Sequence, residues 1–261
     1  MKREHKAMMK ARSRNICLTV AYDGTAYHGF QRQSPPICAV QNVLEEKLAL
    51  VFGDAIELAA AGRTDAGVHA MGQVVNFFTD GRIPLEHIAR AVNSILPPDI
   101  VVKEAREAGR DFSARHSAKS KTYLYRIQQG ETPNPFAERY AWYIRQTLDL
   151  AAMNEAAQIL CGEHDFSAFR AAGGAPMLPV RTMFLAEGRK REGDRIEFRF
   201  HANGFLYHMA RNIIGTLADV GKGRLSVRDF QAILESRERK RASATAPARG
   251  LFLESVEYCA Y

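Results

Sequence analysis

IELAAAGRTDAGVHAMGQVVNFFT, residues 56–79, holds two apolar stretches around one polar loop. Ile56 to Ala61 and Gln73 to Thr79 both suit buried β-strands. Between them, Gly62 to His69 has no apolar period, and its two glycines let the backbone turn sharply. A guanidinium, a hydroxyl, a carboxylate and an imidazole fall between Arg63 and His69. A strand therefore delivers a loop dense in reactive groups.

Outward from this loop the period alternates between strand and helix. On the N-terminal side, Ile16 to Tyr22 reads as a strand ended by the turn Asp23-Gly24. Val40, Val43, Leu44, Leu48, Val51 and Phe52 then recur at helical spacing, with Gly53 as a stop. On the C-terminal side, Pro84 opens a helix to about Ile95, and Ile100 to Val102 starts a strand. A second series of the same kind follows. Lys121 to Ile127 alternates as a strand, and Met153, Ala156, Ala157 and Leu160 mark a helix that stops before Gly162. Arg195 to His201 alternates cleanly. Leu206, Ala210, Ile213, Ile214 and Leu217 form a helical stripe over Leu206 to Ala218. Ser226 with Asp229 makes a capping box for a helix to about Leu234, and Leu251 to Val256 closes the chain as a strand.

The expected fold class is α+β: two lobes of largely antiparallel sheet with packing helices and an active-site cleft between them. The expected organisation is a basic arm over 1–14, an N-terminal lobe over 15–112 and a C-terminal lobe over 113–261. The break is expected within 109–118, where GRDFSARHSA has no clear period. AAGGAP, Ala171 to Pro176, is expected to be a mobile loop.

At 261 residues with 46% hydrophobic and 25% charged composition, the chain is ordinary globular protein, which excludes disordered and fibrous classes. Its longest apolar runs are five residues, Leu48 to Phe52 and Tyr140 to Ile144. A bilayer span needs about 18, so no membrane partner is expected. Residues 1–14 carry six Lys/Arg and one Glu, a net of +5 within a total of +7. The remainder is therefore nearly neutral, and the basic balance by itself is as well explained by a solvated tail as by RNA contact. With no secretory apolar segment at the N-terminus, a reducing, cytoplasmic compartment is expected. Cys17, Cys38, Cys161 and Cys259 are too widely spaced for a paired-cysteine site, and no histidine pair has metal-ligand spacing.

Three features could carry chemistry. The first is the Gly62–His69 loop, for which an Asx turn with Asp65 bonding its own backbone is the bland alternative. It lacks the GxxxxGK[ST] spacing of a phosphate cradle. The second is Arg211, roughly 115° from the centre of its apolar helical stripe, where it could point into a cleft or snorkel to solvent. The third is Tyr123, either a core aromatic or part of a basic stacking face with Tyr125, Lys119, Lys121 and Arg126.

In chain order, the sequence offers YDGTAYHGFQRQ (22–33), AGRTDAGVHA (61–70), NSILPPDI (93–100) and SAKSKTYLYRI (117–127). HDFSAFR (164–170), GFLYHMARNIIG (204–215) and APARGLFL (246–253) follow. Together these motifs resemble the tRNA pseudouridine synthase A family over essentially the whole chain after the basic arm. GRTDAGVH is highly specific, whereas each of the others alone would be weak. The resemblance implies an enzyme that isomerises uridine to pseudouridine at positions 38, 39 and 40 of the tRNA anticodon stem-loop, acting as a homodimer. It implies Asp65 as the catalytic aspartate, Tyr123 as the residue stacking on the target base and Arg211 as the partner of the aspartate. Arg63 is implied as the group that enters the RNA and helps hold the nucleotide out. Phe30 stands where the family often has Trp, Ala210 where Val is common, and Ser113 and His116 depart from an FHARF-like segment. None of these departures touches the implied catalytic residues.

The chemistry agrees with that assignment. Breaking the N-glycosidic bond, rotating uracil and rejoining it through carbon involves no redox change and no net hydrolysis. Nicotinamide, ATP and metal are not required, so no small-molecule cofactor is expected. One ionised carboxylate is needed as nucleophile, base or charge stabiliser. Burial alone would keep it neutral, and a nearby arginine would hold it charged. The extruded base costs a few kcal/mol, which an aromatic can offset by stacking. The alternative is a non-catalytic tRNA-binding or chaperone module, using the basic arm and the Arg237–Arg241 cluster. A glycoside hydrolase would need a second carboxylate in a convincing loop, and Asp23 and Asp165 both read as turn or cap residues.

Overall fold

The computed structural model describes residues 11–53, 55–174 and 177–259. Most of the expected basic arm, residues 1–10, lies outside them, as do Ala175 and Pro176 of the AAGGAP loop. The chain forms two compact units, one of residues up to Lys119 together with Leu253 onward, the other of Ser120–Phe252. The closing strand therefore returns its last residues to the first unit.

In the first unit, β1 (Arg14–Tyr22), β3 (His69–Thr79) and β4 (Ile100–Ala108) form an antiparallel sheet with β1 in the middle. The two-residue β2 (Ala59–Ala60) pairs with β3. Ile16, Leu18 and Val20 are fully buried, and on the other face Asn15 and Cys17 are buried while Thr19 and Ala21 are half-buried. A strand covered on both faces cannot alternate in hydrophobicity, which is why β1 reads as a continuous apolar run. Helix α1 (Val40–Phe52) buries Val40, Leu44, Leu48 and Phe52, and Phe52 meets the Phe77 ring edge-on at 5.2 Å. Its stop is Gly53, left-handed at φ 70°. Helix α2 (Leu85–Asn93) packs Ile88 and Val92 beside α1 and β4.

Residues 109–117 are pinned into this first unit. Phe112 and Ala114 cluster with Cys17, Ala61 and Val74. Asn15 donates to the Gly109 and Phe112 carbonyls at 2.9 and 3.1 Å, and Asn76 accepts the Ala114 N–H at 2.8 Å. Two buried amides thus satisfy an aperiodic backbone that has no ladder of its own.

In the second unit, β5 (Ala118–Gln129), β9 (Arg195–Ala202), β8 (Val180–Arg191) and β7 (Gly162–Asp165) pair antiparallel in that order. β6 (Trp142–Ile144) runs parallel to β5. Tyr123 faces Phe200 across the ladder and Tyr125 faces Phe198. Leu124 is as buried as both tyrosines, so β5 is covered on both faces rather than on one. Helices α3 (Leu150–Gln158), α4 (Met209–Gly221) and α5 (Val227–Ser236) pack on one another. The expected capping box at Ser226 and Asp229 is present. The α4 stripe is shifted by three residues from its expected start, because His208 is left-handed at φ 59° and blocks any earlier turn. Strand β10 (Leu251–Tyr258) closes the chain, as the sequence indicates.

Both units are α+β, and among the described residues β1, β2, β3 and β4 pair antiparallel, as do β5, β9, β8 and β7, in keeping with the expected fold class. Among the described residues no helix is long and apolar enough to cross a membrane.

The thiols give a simple check on this packing. Burial pushes the Cys17 thiol up to about 11, while Cys38 and Cys259 are exposed. At pH 8 a disulfide reagent is expected to label Cys38 and Cys259 fast and Cys17 only on unfolding. Mass mapping that finds Cys17 labelled in the native protein would contradict the placement of β1.

Candidate active site

The Gly62–His69 loop joins β2 to β3, and its fixation begins with β1. Tyr22 ends that strand and sends its hydroxyl to the Thr64 hydroxyl at 2.7 Å. The backbone of Thr64 is held too, its carbonyl accepting the Phe30 N–H at 3.0 Å. The Gly67 N–H reaches the Tyr27 carbonyl at 3.3 Å, and the Val68 N–H donates to the backbone carbonyl of Asp65 at 3.1 Å. That last bond closes a tight turn with Gly67 at φ 75°. Gly29 serves the same end: at φ 91° it carries no Cβ, and one there would lie 2.8 Å from the Thr64 carbonyl oxygen.

Thr64 is buried, Asp65 half-buried and Arg63 exposed. Alternation along the loop therefore turns Thr64 inward and leaves Arg63 and Asp65 on the accessible side. His69 is not among the accessible groups. It is 1% exposed, and its Nδ1 accepts the Gly24 N–H at 3.0 Å. Asp23 Oδ1 lies 3.1 Å from the same nitrogen but also accepts from the Thr25 N–H and hydroxyl at 2.9 and 2.6 Å. His69 is thus a brace between two turns, and Asp23 makes the Asx turn its sequence suggests.

Tyr123 and Arg211 belong to the second unit. Tyr123 is 8% exposed, with Phe205 set edge-on to its ring at 4.7 Å. Arg211 is half-buried on α4, and its Nε donates to the Ala246 carbonyl at 2.8 Å. The next carbonyl, that of Pro247, accepts the Tyr125 hydroxyl at 2.8 Å. The Ala246-Pro247 dipeptide therefore brackets α4 to β5 and orients the guanidinium. His208 Nε2 stands 3.3 Å from a terminal nitrogen of Arg211.

Two readings of basic residues change. Arg126 is not free to form an RNA-stacking face with Tyr123 and Tyr125. It pairs with Glu197 at 3.2 Å and covers the Phe252 ring at 4.6 Å. In the Arg237–Arg241 cluster, Arg239 binds the Ala242 and Ser243 carbonyls, Asn212 and Thr245. It ties down residues 242–247, the strap that lies over α4. Asp165 accepts the Ser167 N–H at 2.8 Å, a turn role as expected.

Sequence reasoning placed Arg63 and Asp65 on one loop and missed what stands behind it. Tyr22 and Gln73 lie at strand positions whose neighbours are apolar, so their polar atoms read as incidental, while His69 reads as a reactive member of the loop and not as its brace. The one available signal is a polar side chain inside an otherwise apolar strand, such as Gln73 ahead of Val74-Val75.

A family model described as tRNA pseudouridine synthase matches residues 18–117 and 156–259. A tRNA pseudouridine synthase A of Acetivibrio thermocellus is 42% identical over 245 residues, covering 94% of this chain and 100% of the relative. One of Moorella thermoacetica is 46% identical over 242 residues, covering 92% and 98%. Among solved structures, a crystal structure of a Cbf5-Nop10-Gar1 complex matches with a TM-score of 0.37 and 15% identity. That match covers 75% of this chain and spans 46% of the solved chain.

Proposed function

The chain belongs to the tRNA pseudouridine synthase A family and isomerises uridine to pseudouridine in tRNA; from that premise we propose that its targets are uridines 38, 39 and 40 of the anticodon stem-loop and that Asp65 is the catalytic carboxylate. The observation that carries this reading is the Asp65 loop itself. A carboxylate stands half-buried at the accessible side of a turn whose backbone is tied on both flanks. Groups held this firmly suit a reaction in which the attacking atom must meet one carbon of an extruded nucleotide.

In this mechanism Tyr123 stacks on the uracil, Arg63 enters the RNA where the target leaves the helix, and Arg211 is the partner of the Asp65 carboxylate. The exposure of Arg63 supports its role, since a guanidinium meant for RNA cannot be spent within the fold. The 4.7 Å edge-on contact with Phe205 supports that of Tyr123, because it locks the ring plane before substrate arrives. Arg211, with Nε tied to the Ala246 carbonyl and a terminal nitrogen 3.3 Å from His208 Nε2, presents an oriented guanidinium, which supports its role.

Tritium release from transcripts labelled at uracil C5 tests the reaction, since forming the new carbon bond frees that hydrogen. Replacing uridines 38, 39 and 40 by cytidine is expected to abolish release, and release that persists would move the target elsewhere in the tRNA. The homodimer belongs to the same proposal, because one 29.1 kDa chain must grip both the anticodon arm and a remote part of the tRNA. Light scattering should give twice that mass; a monomer mass at working concentration would remove the dimer. The work is placed in the cytoplasm, where uncharged and charged tRNA circulate.

A further inference from the structure

Two polar side chains, Tyr22 and Gln73, stand behind the Asp65 loop, and Thr64 turns inward from the loop itself. Tyr22 is 4% exposed and Gln73 0%, so neither can meet substrate. The Tyr22 hydroxyl touches the Thr64 hydroxyl at 2.7 Å and also faces the Gln73 side chain. Gln73 in turn donates Nε2–H to the Gly62 carbonyl at 2.9 Å. The loop is thus gripped at residues 62 and 64, on either side of Arg63 and immediately before Asp65. Burial pushes the Tyr22 phenol far above its ordinary range, so it stays a neutral hydroxyl at every working pH.

A simpler fold would place apolar side chains here. Burying a phenol, a threonine hydroxyl and an amide costs free energy that their mutual bonds only partly recover. The Thr64 side chain is the member that matters for Asp65. With its carbonyl fixed by Phe30 and its hydroxyl by Tyr22, Thr64 has neither backbone nor side-chain freedom. The peptide plane leading into Asp65 is set as a result.

We propose that Tyr22, Thr64 and Gln73 are positioning residues that fix the Asp65 carboxylate for attack, acting through the Thr64 hydroxyl and the Gly62 carbonyl. This rests on the assignment of Asp65 as the catalytic carboxylate. Reactive geometry tolerates little error, and a misplacement of about 1 Å costs on the order of 10²-fold in rate.

The test is tritium release at saturating and sub-saturating tRNA for the full chain carrying Tyr22→Phe, Thr64→Val, Thr64→Ser or the Tyr22→Phe/Thr64→Val pair, with Asp65→Asn alongside. Tyr22→Phe removes one oxygen and adds no bulk, so it keeps the fold, as a melting curve will record. Tyr22→Phe and Thr64→Val should each lower kcat by about 10- to 10²-fold with KM within about twofold. Thr64→Ser keeps the hydroxyl and should stay within about threefold of the parent. The double variant should be no worse than the poorer single one, because both break one contact. An unchanged kcat in Tyr22→Phe overturns the inference, and so does a rise in KM with kcat intact. Thr64→Ser falling as far as Thr64→Val overturns it as well, since packing rather than the hydroxyl would then matter. The two levels separate cleanly. Turnover surviving in Asp65→Asn removes the assignment of Asp65, whereas its loss there with a normal Tyr22→Phe removes only the positioning device.

Discussion

Asp65→Asn is expected to lower tritium release by about 10³-fold or more while changing tRNA affinity by less than about threefold. The asymmetry follows from how the loop is built. Its turn is closed by the backbone carbonyl of Asp65, which accepts the Val68 N–H, and its flanks are tied at Thr64 and Gly67. An asparagine leaves all of those bonds in place and matches the carboxylate in shape. What it removes is the charge, and an amide is neither a nucleophile nor a base at neutral pH. Removing a carboxylate from a polyanion's path cannot weaken binding electrostatically, so a large affinity loss would point to a contact role instead. Turnover within about tenfold of the parent would sink the catalytic assignment. Tritium release absent even from the parent, with binding intact and steeply salt-dependent, would favour the non-catalytic module.

How legible the molecule was depended on whether an element shows solvent a distinct face. Helix α1 announced itself, because Leu44 and Leu48 recur at helical spacing and Gly53 supplies the left-handed stop. The capping box of α5 was equally plain. Strand β8 was not visible at all. A register shift between Met183 and Leu185 breaks its period of two, leaving Phe184 half exposed, and Gly188 interrupts it where the Phe198 ring needs the space. β5 is legible as a strand, but a strand buried on both faces does not reveal which face is the core. For the site, residue type and spacing placed the Asp65 loop, because turn-forming glycines and clustered reactive groups are local features. The supports could not be found that way. Tyr22 reaches Thr64 over a separation of 42 residues, and Arg211 reaches Ala246 over 35. Such contacts depend on the strand register, which single-sequence periodicity does not determine.

The strap over α4 carries the largest expected effect on stability. Gly215 lies where a Cβ would collide with the Ala244 carbonyl oxygen, with the Ala246 nitrogen 3.4 Å away. Backbone cannot rotate aside as a side-chain tip does, so Gly215→Ala must push the strap off the helix. That strap is held by Arg239, by Thr245 bonding Asn212 at 2.6 Å, and by the Ala246 N–H bonding the Arg211 carbonyl at 3.1 Å. Overpacking of this kind costs about 2–3 kcal/mol, which for a chain of this size lowers the melting temperature by roughly 5–10 °C. Gly109→Ala is the matched control. A Cβ there meets nothing within 4 Å, and its melting temperature should stay near the parent's. The loss should reach the chemistry too, because the same displacement carries the Ala246 carbonyl away from Arg211 Nε and frees the guanidinium to wander. Well below its melting temperature, Gly215→Ala should therefore turn over more slowly than the equally folded Gly109→Ala. A Gly215→Ala protein that melts with the parent would mean the strap does not sit against α4. One that melts early yet turns over normally while folded would separate the strap's structural role from the orientation of Arg211.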